Sequence, residues 1–341
     1  MARRVHLHVG APKTGTTALQ TRLQRNASSL LEHGVLVPRS CSGRRPAGLV
    51  LRAALELTGV RLGQDPEEIA GSWTELVEQV TAHDGSVVAS HEAFVRCDEA
   101  AVARVVAELG AGAELHVVYS ARDLGRQLVS GWLEGLKNGG TDHLATHLAR
   151  ARTGELPLRA AFDVPVVLGR WLAHLPPEQV HVVTVPPPDG DRSLLWQRFA
   201  RVLGLDDAWA PDEPTRTNES VGIPEAQVLL ALNRALGGSN RRGGPHQRIV
   251  RRTVVREGLV GRDSPRPEVP PAHVDWLAAE VEDWITWLTG SGVEVVGDLD
   301  ELRPAAADPA SYVDVDAPHP GAADAAVAAL ASVVVATQRS G

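Results

Sequence analysis

The chain has 341 residues, 43% hydrophobic and 22% charged, with a formal net charge of −8 and a pI near 5.9. That length and apolar content suit one large α/β domain or two smaller ones, and the acidic balance argues against a general nucleic-acid binder. Cys41 and Cys97 form neither a metal-ligand spacing nor a disulfide framework. No amino-terminal signal pattern and no apolar run near the ~18 residues of a membrane span are expected, so the chain reads as soluble and cytoplasmic.

In chain order, apolar, β-branched runs predict strands over 5–9, 35–37, 86–90, 115–120 and 180–185, with a weaker one at 292–296. Helical periodicity predicts helices over 16–33, 66–82, 98–109, 123–138, 165–174, 193–203, 224–236 and 273–289. The alternation predicts a central parallel sheet with helices on both faces, a three-layer α/β/α arrangement. A main domain over 1–304 is expected. Residues 305–341 form an Ala/Pro-rich carboxyl-terminal segment, with a linker near 304–320 and a docked helix near 322–337.

Residues 5–17, VHLHVGAPKTGTT, carry the strongest signal. A strand enters a glycine-bearing turn and then a helix, which gathers backbone N–H groups and a helix N-terminus around one anion site. An ATP-type loop reads G-x-x-x-x-G-K-[ST]. Gly10 and Gly15 have that separation, but Thr16 stands where the lysine belongs, and Lys13 lies inside the loop. Only two of the 34 Lys and Arg residues are lysines, Lys13 and Lys137. A retained lysine suits a site that needs a compact ammonium close to one oxygen.

Two further strand ends are expected at the same edge. After the strand at 86–90 come His91, Glu92 and Phe94, with Glu92 and His91 both candidates for a general base. After the strand at 115–120 comes Arg122, with Ser130 eight residues later on a helix that Asp123 begins. A guanidinium fork and a hydroxyl are both suited to a phosphate.

Pro12, Lys13, Thr14, Gly15, Thr16 and Thr17, with Arg122 and Ser130, resemble the two donor-binding segments of the sulfotransferase family. These enzymes use 3′-phosphoadenosine 5′-phosphosulfate (PAPS) as sulfuryl donor. Glu92 with Phe94 is similar to the base segment of the heparan-type branch and its bacterial members, while His91 is similar to the base of cytosolic small-molecule enzymes. The resemblance implies a P-loop NTPase-like sheet. It implies that the first loop and Lys13 bind the phosphosulfate, and that Arg122 and Ser130 bind the 3′-phosphate. Glu92 or His91 would act as base, with no catalytic metal. The acceptor stays open among carbohydrate, lipid and natural product. A nucleotide kinase on the same sheet and a non-catalytic nucleotide-binding protein are the alternatives.

Other features are weaker. The stretch 239–256, with Arg241, Arg242, Arg248, Arg251, Arg252 and Arg256, reads as a basic loop and a candidate flap over an anion. Asn218 and Ser220 lie before a helix as possible caps or cofactor contacts. His6 and His8, two apart on a strand, share one face, and a structural role is expected for both. Trp73, Trp132 and Trp171 are candidates for an acceptor pocket or for the core.

Overall fold

The computed structural model describes residues 3–41, 48–157, 159–191, 193–214, 220–237, 247–305, 310 and 312–340. Six strands make one wholly parallel sheet: β1 (Arg4–Gly10), β2 (Val35–Leu36), β3 (Ser86–Ser90), β4 (Glu114–Ala121), β5 (Val180–Thr184) and β6 (Glu294–Val296). Their spatial order is β2-β3-β1-β4-β5-β6. The helices are α1 (Thr16–Arg25), α2 (Ala27–Glu32), α3 (Leu49–Thr58), α4 (Pro66–Ile69), α5 (Ser72–Ala82), α6 (Glu99–Leu109), α7 (Leu124–Lys137), α8 (Leu144–Arg152), α9 (Val164–Leu172), α10 (Ser193–Leu203), α11 (Ile223–Ala235), α12 (Val274–Ser291) and α13 (Ala322–Ser340). A π-type helix covers Gln247–Leu259. This is the α/β architecture expected, with helices flanking a parallel sheet.

The chain divides into two compact units. The first comprises Met1–Leu124, Ala160–Thr215 and Ala278–Arg303 and contains the whole sheet. Its strands are apolar nearly throughout, as strands covered on both faces must be. On one face Val88, Val118 and Val183 meet Leu19 and Leu23 of α1, Leu30 of α2, and Trp196 and Phe199 of α10. Toward the other, α9 packs on β4 and β5 and, through α6, joins α5 and α3.

Two predicted helices of this unit are interrupted. The segment 16–33 breaks at Asn26, whose side chain exchanges hydrogen bonds of 3.0 Å each with the backbone N–H and carbonyl of Asp212. The segment 66–82 breaks at Gly71, which has φ 77. There the Glu56 carboxylate of α3 accepts from the N–H groups of Gly71 (2.9 Å) and Trp73 (2.7 Å) and so caps α5. Both breaks depend on partners distant in sequence. α3 and α8 were not foreseen.

The second unit comprises Gly125–Arg159, Arg216–Leu277 and Pro304–Gly341. The tail expected as a separate segment thus groups here with earlier stretches. Asp316 accepts from Leu144 N (3.1 Å), Ala145 N (2.9 Å) and His143 Nδ1 (3.1 Å), which caps α8. The fully buried Glu225 of α11 accepts from Gly222 N, Arg262 Nε and Ser264 Oγ. The basic stretch expected as a loop is helical from residue 247. Val250, Val254 and Val255 are buried, and Arg251 is tied to Glu134 and Asn138 at 2.8 Å each. Arg252 and Arg256 are exposed. Arg241, Arg242 and the Arg248 side chain lie outside the described residues, as does Asn218.

By length and composition, α13 is apolar enough to cross a membrane. Its window Ala322–Arg339 has a mean hydropathy of 1.2 and is 11% buried. The expectation of no such run therefore has an exception, built mostly from alanine and valine.

Leu7 is fully buried at the centre of β1. Leu7→Ala is expected to lower unfolding free energy by ~3 kcal/mol, by lost transfer energy plus a residual cavity. Val166→Ala, at a position 44% exposed on α9, should cost well under ~1 kcal/mol. Urea denaturation of both variants checks the difference.

Candidate functional site

In an open parallel sheet, ligands bind beyond the carboxyl ends of the strands, where successive connections leave in opposite directions. Here β1 is followed by a crossing to β2 and β4 by a crossing to β5, on opposite sides. The segments after β1 and β4 therefore meet at the switch point. These segments carry Lys13 and Arg122.

After Gly10 (φ 122) the chain turns through Lys13, itself at φ 69, and Gly15 at φ 86, before α1 begins at Thr16. The loop is fastened at three places. Ala11 N–H donates to Ser120 O of β4 (3.1 Å), the buried Thr14 hydroxyl donates to Ala11 O (2.6 Å), and Arg122 Nη1 donates to Lys13 O (2.6 Å). A Cβ at Gly10 would sit 3.4 Å from Cβ of Glu92, so the third strand end also packs against the loop.

Among the described residues no side chain caps the start of α1, and its first turn contains no acid. Gly15 and Thr17 are exposed there, Thr16 is buried, and Pro12 and Lys13 are half-buried. An exposed, uncapped helix start beside a lysine is positively polarised and suits an anion. A Cβ at Gly15 would lie 2.7 Å from Leu195 Cδ2, and φ 86 is unfavourable for other residues, so glycine is required twice over.

The loop after β3 holds Glu92 and His91. The Gln20 side chain of α1 donates to Glu92 Oε2 at 2.8 Å. Burial pushes the Glu92 carboxyl up, but neighbouring His91 and the Gln20 hydrogen bond outweigh it and hold the group below its ordinary value. His91 Nδ1 accepts from Ala93 N–H at 3.0 Å and caps the short helix Glu92–Arg96. With Nδ1 engaged as an acceptor, the neutral imidazole carries its proton on Nε2. Burial keeps it neutral by lowering its pKa. His91 Nδ1 and Glu92 Oε2 are 3.9 Å apart.

Beneath these loops His8 is completely buried and bridges two serines, with Nδ1 2.7 Å from Ser90 Oγ on β3 and Nε2 3.1 Å from Ser120 Oγ on β4. On the same sheet face, nearer the strand starts, His6 stacks on His116 and His116 on His181. His116 Nδ1 lies 2.9 Å from His181 Nε2, and His181 Nδ1 lies 2.7 Å from Glu294 Oε2. Among the described residues no group of three or more His, Cys, Asp or Glu is arranged to hold a metal ion.

The structure thus brings Lys13, Thr14, Gly15, Glu92, His91 and Arg122 to one edge of the first unit. Ser130 is half-buried on α7, in the second unit. Trp73, Trp132 and Trp171 are buried and belong to the core. Gln20 and Ser120 were not singled out from sequence, and the pairing of His8 with Ser90 and Ser120 was not foreseen. Gln20 lies one helical turn beyond Thr16, a spacing that could have suggested a shared face.

No protein-family model, no curated protein and no solved structure matches this chain.

His6 and His8 are held near pKa 3 and 4 respectively, mainly by burial; His116, His181 and Arg4 add to the effect at His6, while Glu92 opposes it at His8. The unfolded chain takes up these protons below about pH 6.5 whereas the folded chain does not. Stability should therefore fall as pH drops from 6.5 toward 4, by up to ~1.4 kcal/mol per pH unit per imidazole. Urea midpoints between pH 7 and 5 test this. A flat profile would contradict it, and His8→Gln should reduce the slope.

Proposed function

We propose that the chain is a sulfotransferase that moves the sulfuryl group of PAPS to a hydroxyl or amine acceptor. One observation carries this reading: the Lys13 loop and Arg122 converge at the switch point, joined by the 2.6 Å hydrogen bond from Arg122 to the Lys13 carbonyl. The residues there fit a phosphosulfate donor. The uncapped start of α1 offers N–H groups to an anion, Lys13 supplies a compact positive charge, and Arg122 supplies a guanidinium beside it. Lys13 lies inside the loop and not after Gly15, which argues against the usual Mg-nucleotide arrangement.

In the proposed reaction Glu92 takes the proton from the acceptor O–H or N–H as that atom bonds to sulfur. The bridging S–O bond breaks in line, and its electron pair goes to the 5′-phosphate oxygen of the leaving 3′-phosphoadenosine 5′-phosphate. Lys13 stabilises the negative charge gathering on that oxygen. Glu92 is favoured over His91 as base because the carboxylate is ionised at neutral pH, while His91 Nδ1 is engaged by Ala93 N–H. Gln20 holds Glu92 Oε2 at 2.8 Å and so orients the carboxylate. Arg122 is assigned to the 3′-phosphate. Bacterial origin and a cytoplasmic site of action belong to the same reading.

Calorimetric titration tests it. Wild type should bind 3′-phosphoadenosine 5′-phosphate in preference to adenosine 5′-phosphate and to Mg-ATP. Arg122→Ala should cut affinity for the 3′-phosphorylated nucleotide by at least ~10-fold, as expected for a lost charged hydrogen bond, and should abolish the preference over adenosine 5′-phosphate. Lys13→Ala should weaken both nucleotides. Glu92→Gln should leave binding intact and lower turnover by ~100-fold or more. Preference for Mg-ATP would sink the proposal in favour of a nucleotide kinase. Nucleotide binding with no turnover in an acceptor screen would favour a non-catalytic binding protein.

A further inference from the structure

α13 has two unlike faces. One carries Ala325, Ala329 and Ser332, all buried, at spacings of one and two helical turns. It lies close against the π-type helix, where a Cβ at Gly258 would come 2.8 Å from Ser332 Oγ and 3.1 Å from Ala328 O. The opposite face carries Val327, Leu330 and Val334, which are 67, 65 and 49% exposed. With Val335, α13 holds four of the nine exposed large apolar side chains among the described residues. Such a concentration marks an interaction surface, whereas isolated exposed apolar residues are ordinary.

The exposed row is Ala323, Val327, Leu330, Val334 and Thr337, spaced by four, three, four and three residues. That is the seam of a helix pair. Its sizes are also nearly symmetric about Leu330: a small residue, a valine, the leucine, a valine, a small residue. We propose that this face of α13 pairs with α13 of a second copy of the chain, antiparallel about a twofold axis passing beside Leu330.

In that arrangement Leu330 meets itself and Ala323 meets Thr337, while Val327 of one copy lies beside Val334 of the other, one residue from direct opposition. A twofold contact must be self-complementary, and this row is. Residues 325–338 carry no charge, so two copies approach without opposing like charges along the seam. Ala326 and Ala331 flank the row and allow close approach of the backbones.

A lipid surface fits less well. Helices that lie on membranes present Lys or Arg beside aromatic anchors. The charged residues of α13 are Asp324 and Arg339, with Arg339 3.8 Å from Glu257, and the helix has no aromatic residue. The net charge of −8 also disfavours anionic headgroups.

Sedimentation of the full chain over roughly 1–200 μM should show mass rising from 36.3 kDa to twice that value. Leu330→Arg should weaken association by at least ~10-fold while circular dichroism and thermal unfolding stay unchanged. As a second readout, Leu330→Cys in a Cys41→Ala background should give a disulfide-linked dimer on mild oxidation, since side chains on the axis come within bonding reach. Val166→Cys in the same background should not. A monomer at every concentration overturns the proposal, as does a dimer that Leu330→Arg leaves intact. So would sedimentation with phosphatidylcholine/phosphatidylglycerol vesicles without self-association. None of these outcomes depends on the nucleotide reading.

Discussion

His8 is a polar ring with no exposed surface in the central strand of the sheet, and its two nitrogens reach a serine on each neighbouring strand. A buried imidazole left unpaired would be costly, so these contacts pin β3, β1 and β4 at their carboxyl ends. Each strand leaves the sheet just beyond this row. Glu92 follows Ser90 by two residues, Arg122 follows Ser120 by two, and Gly10 follows His8 by two. Glu92, Arg122 and the start of the Lys13 loop are thus referred to one line of side chains, which is where a site needing precise geometry gains most.

The loops above that line hold one another. Arg122 donates to the Lys13 carbonyl, Ala11 to Ser120, and Gly10 lies against Glu92. Backbone in left-handed conformation at Lys13 persists because the surroundings over-determine it. Charge is arranged with the same economy. Glu92 is held below its ordinary value by His91 and the Gln20 hydrogen bond despite burial, while burial lowers the pKa of His8 and of His91.

The second unit relies on other devices. Carboxylates and an amide hold its helix ends: the buried Glu225 at the start of α11, the half-buried Asp316 at the start of α8, and the buried Asn233 on the carbonyls of Leu136 and Gly140. Small residues bring α13 against the π-type helix. The same helix turns an apolar row outward, so one sequence of alanine and valine serves packing on one side and offers a surface on the other.

Much of the fold was legible in sequence because the signals are local. β-branched runs specify strands, glycines specify the turns at Gly10 and Gly15, and the β–loop–α pattern specifies an anion-binding geometry whatever its neighbours are. The pairs that could not be read join residues far apart: Asn26 with Asp212, Glu56 with the start of α5, Asp316 with the start of α8. Each ends or begins a helix whose periodicity alone would run through or be missed. At the site, Lys13, Glu92 and Arg122 were visible from their strand-end positions, whereas Gln20 and the Ser90–His8–Ser120 row were not. The basic stretch looked like a loop because its arginines mask the valines that bury one side of a helix. The sequence by itself determined the α/β class, the strand-end loops and the residue types they carry, since these follow from local propensity and spacing. Only the tertiary structure decided the strand order, the partner of each loop and which face of each helix stays exposed, because those depend on long-range packing that no local window contains.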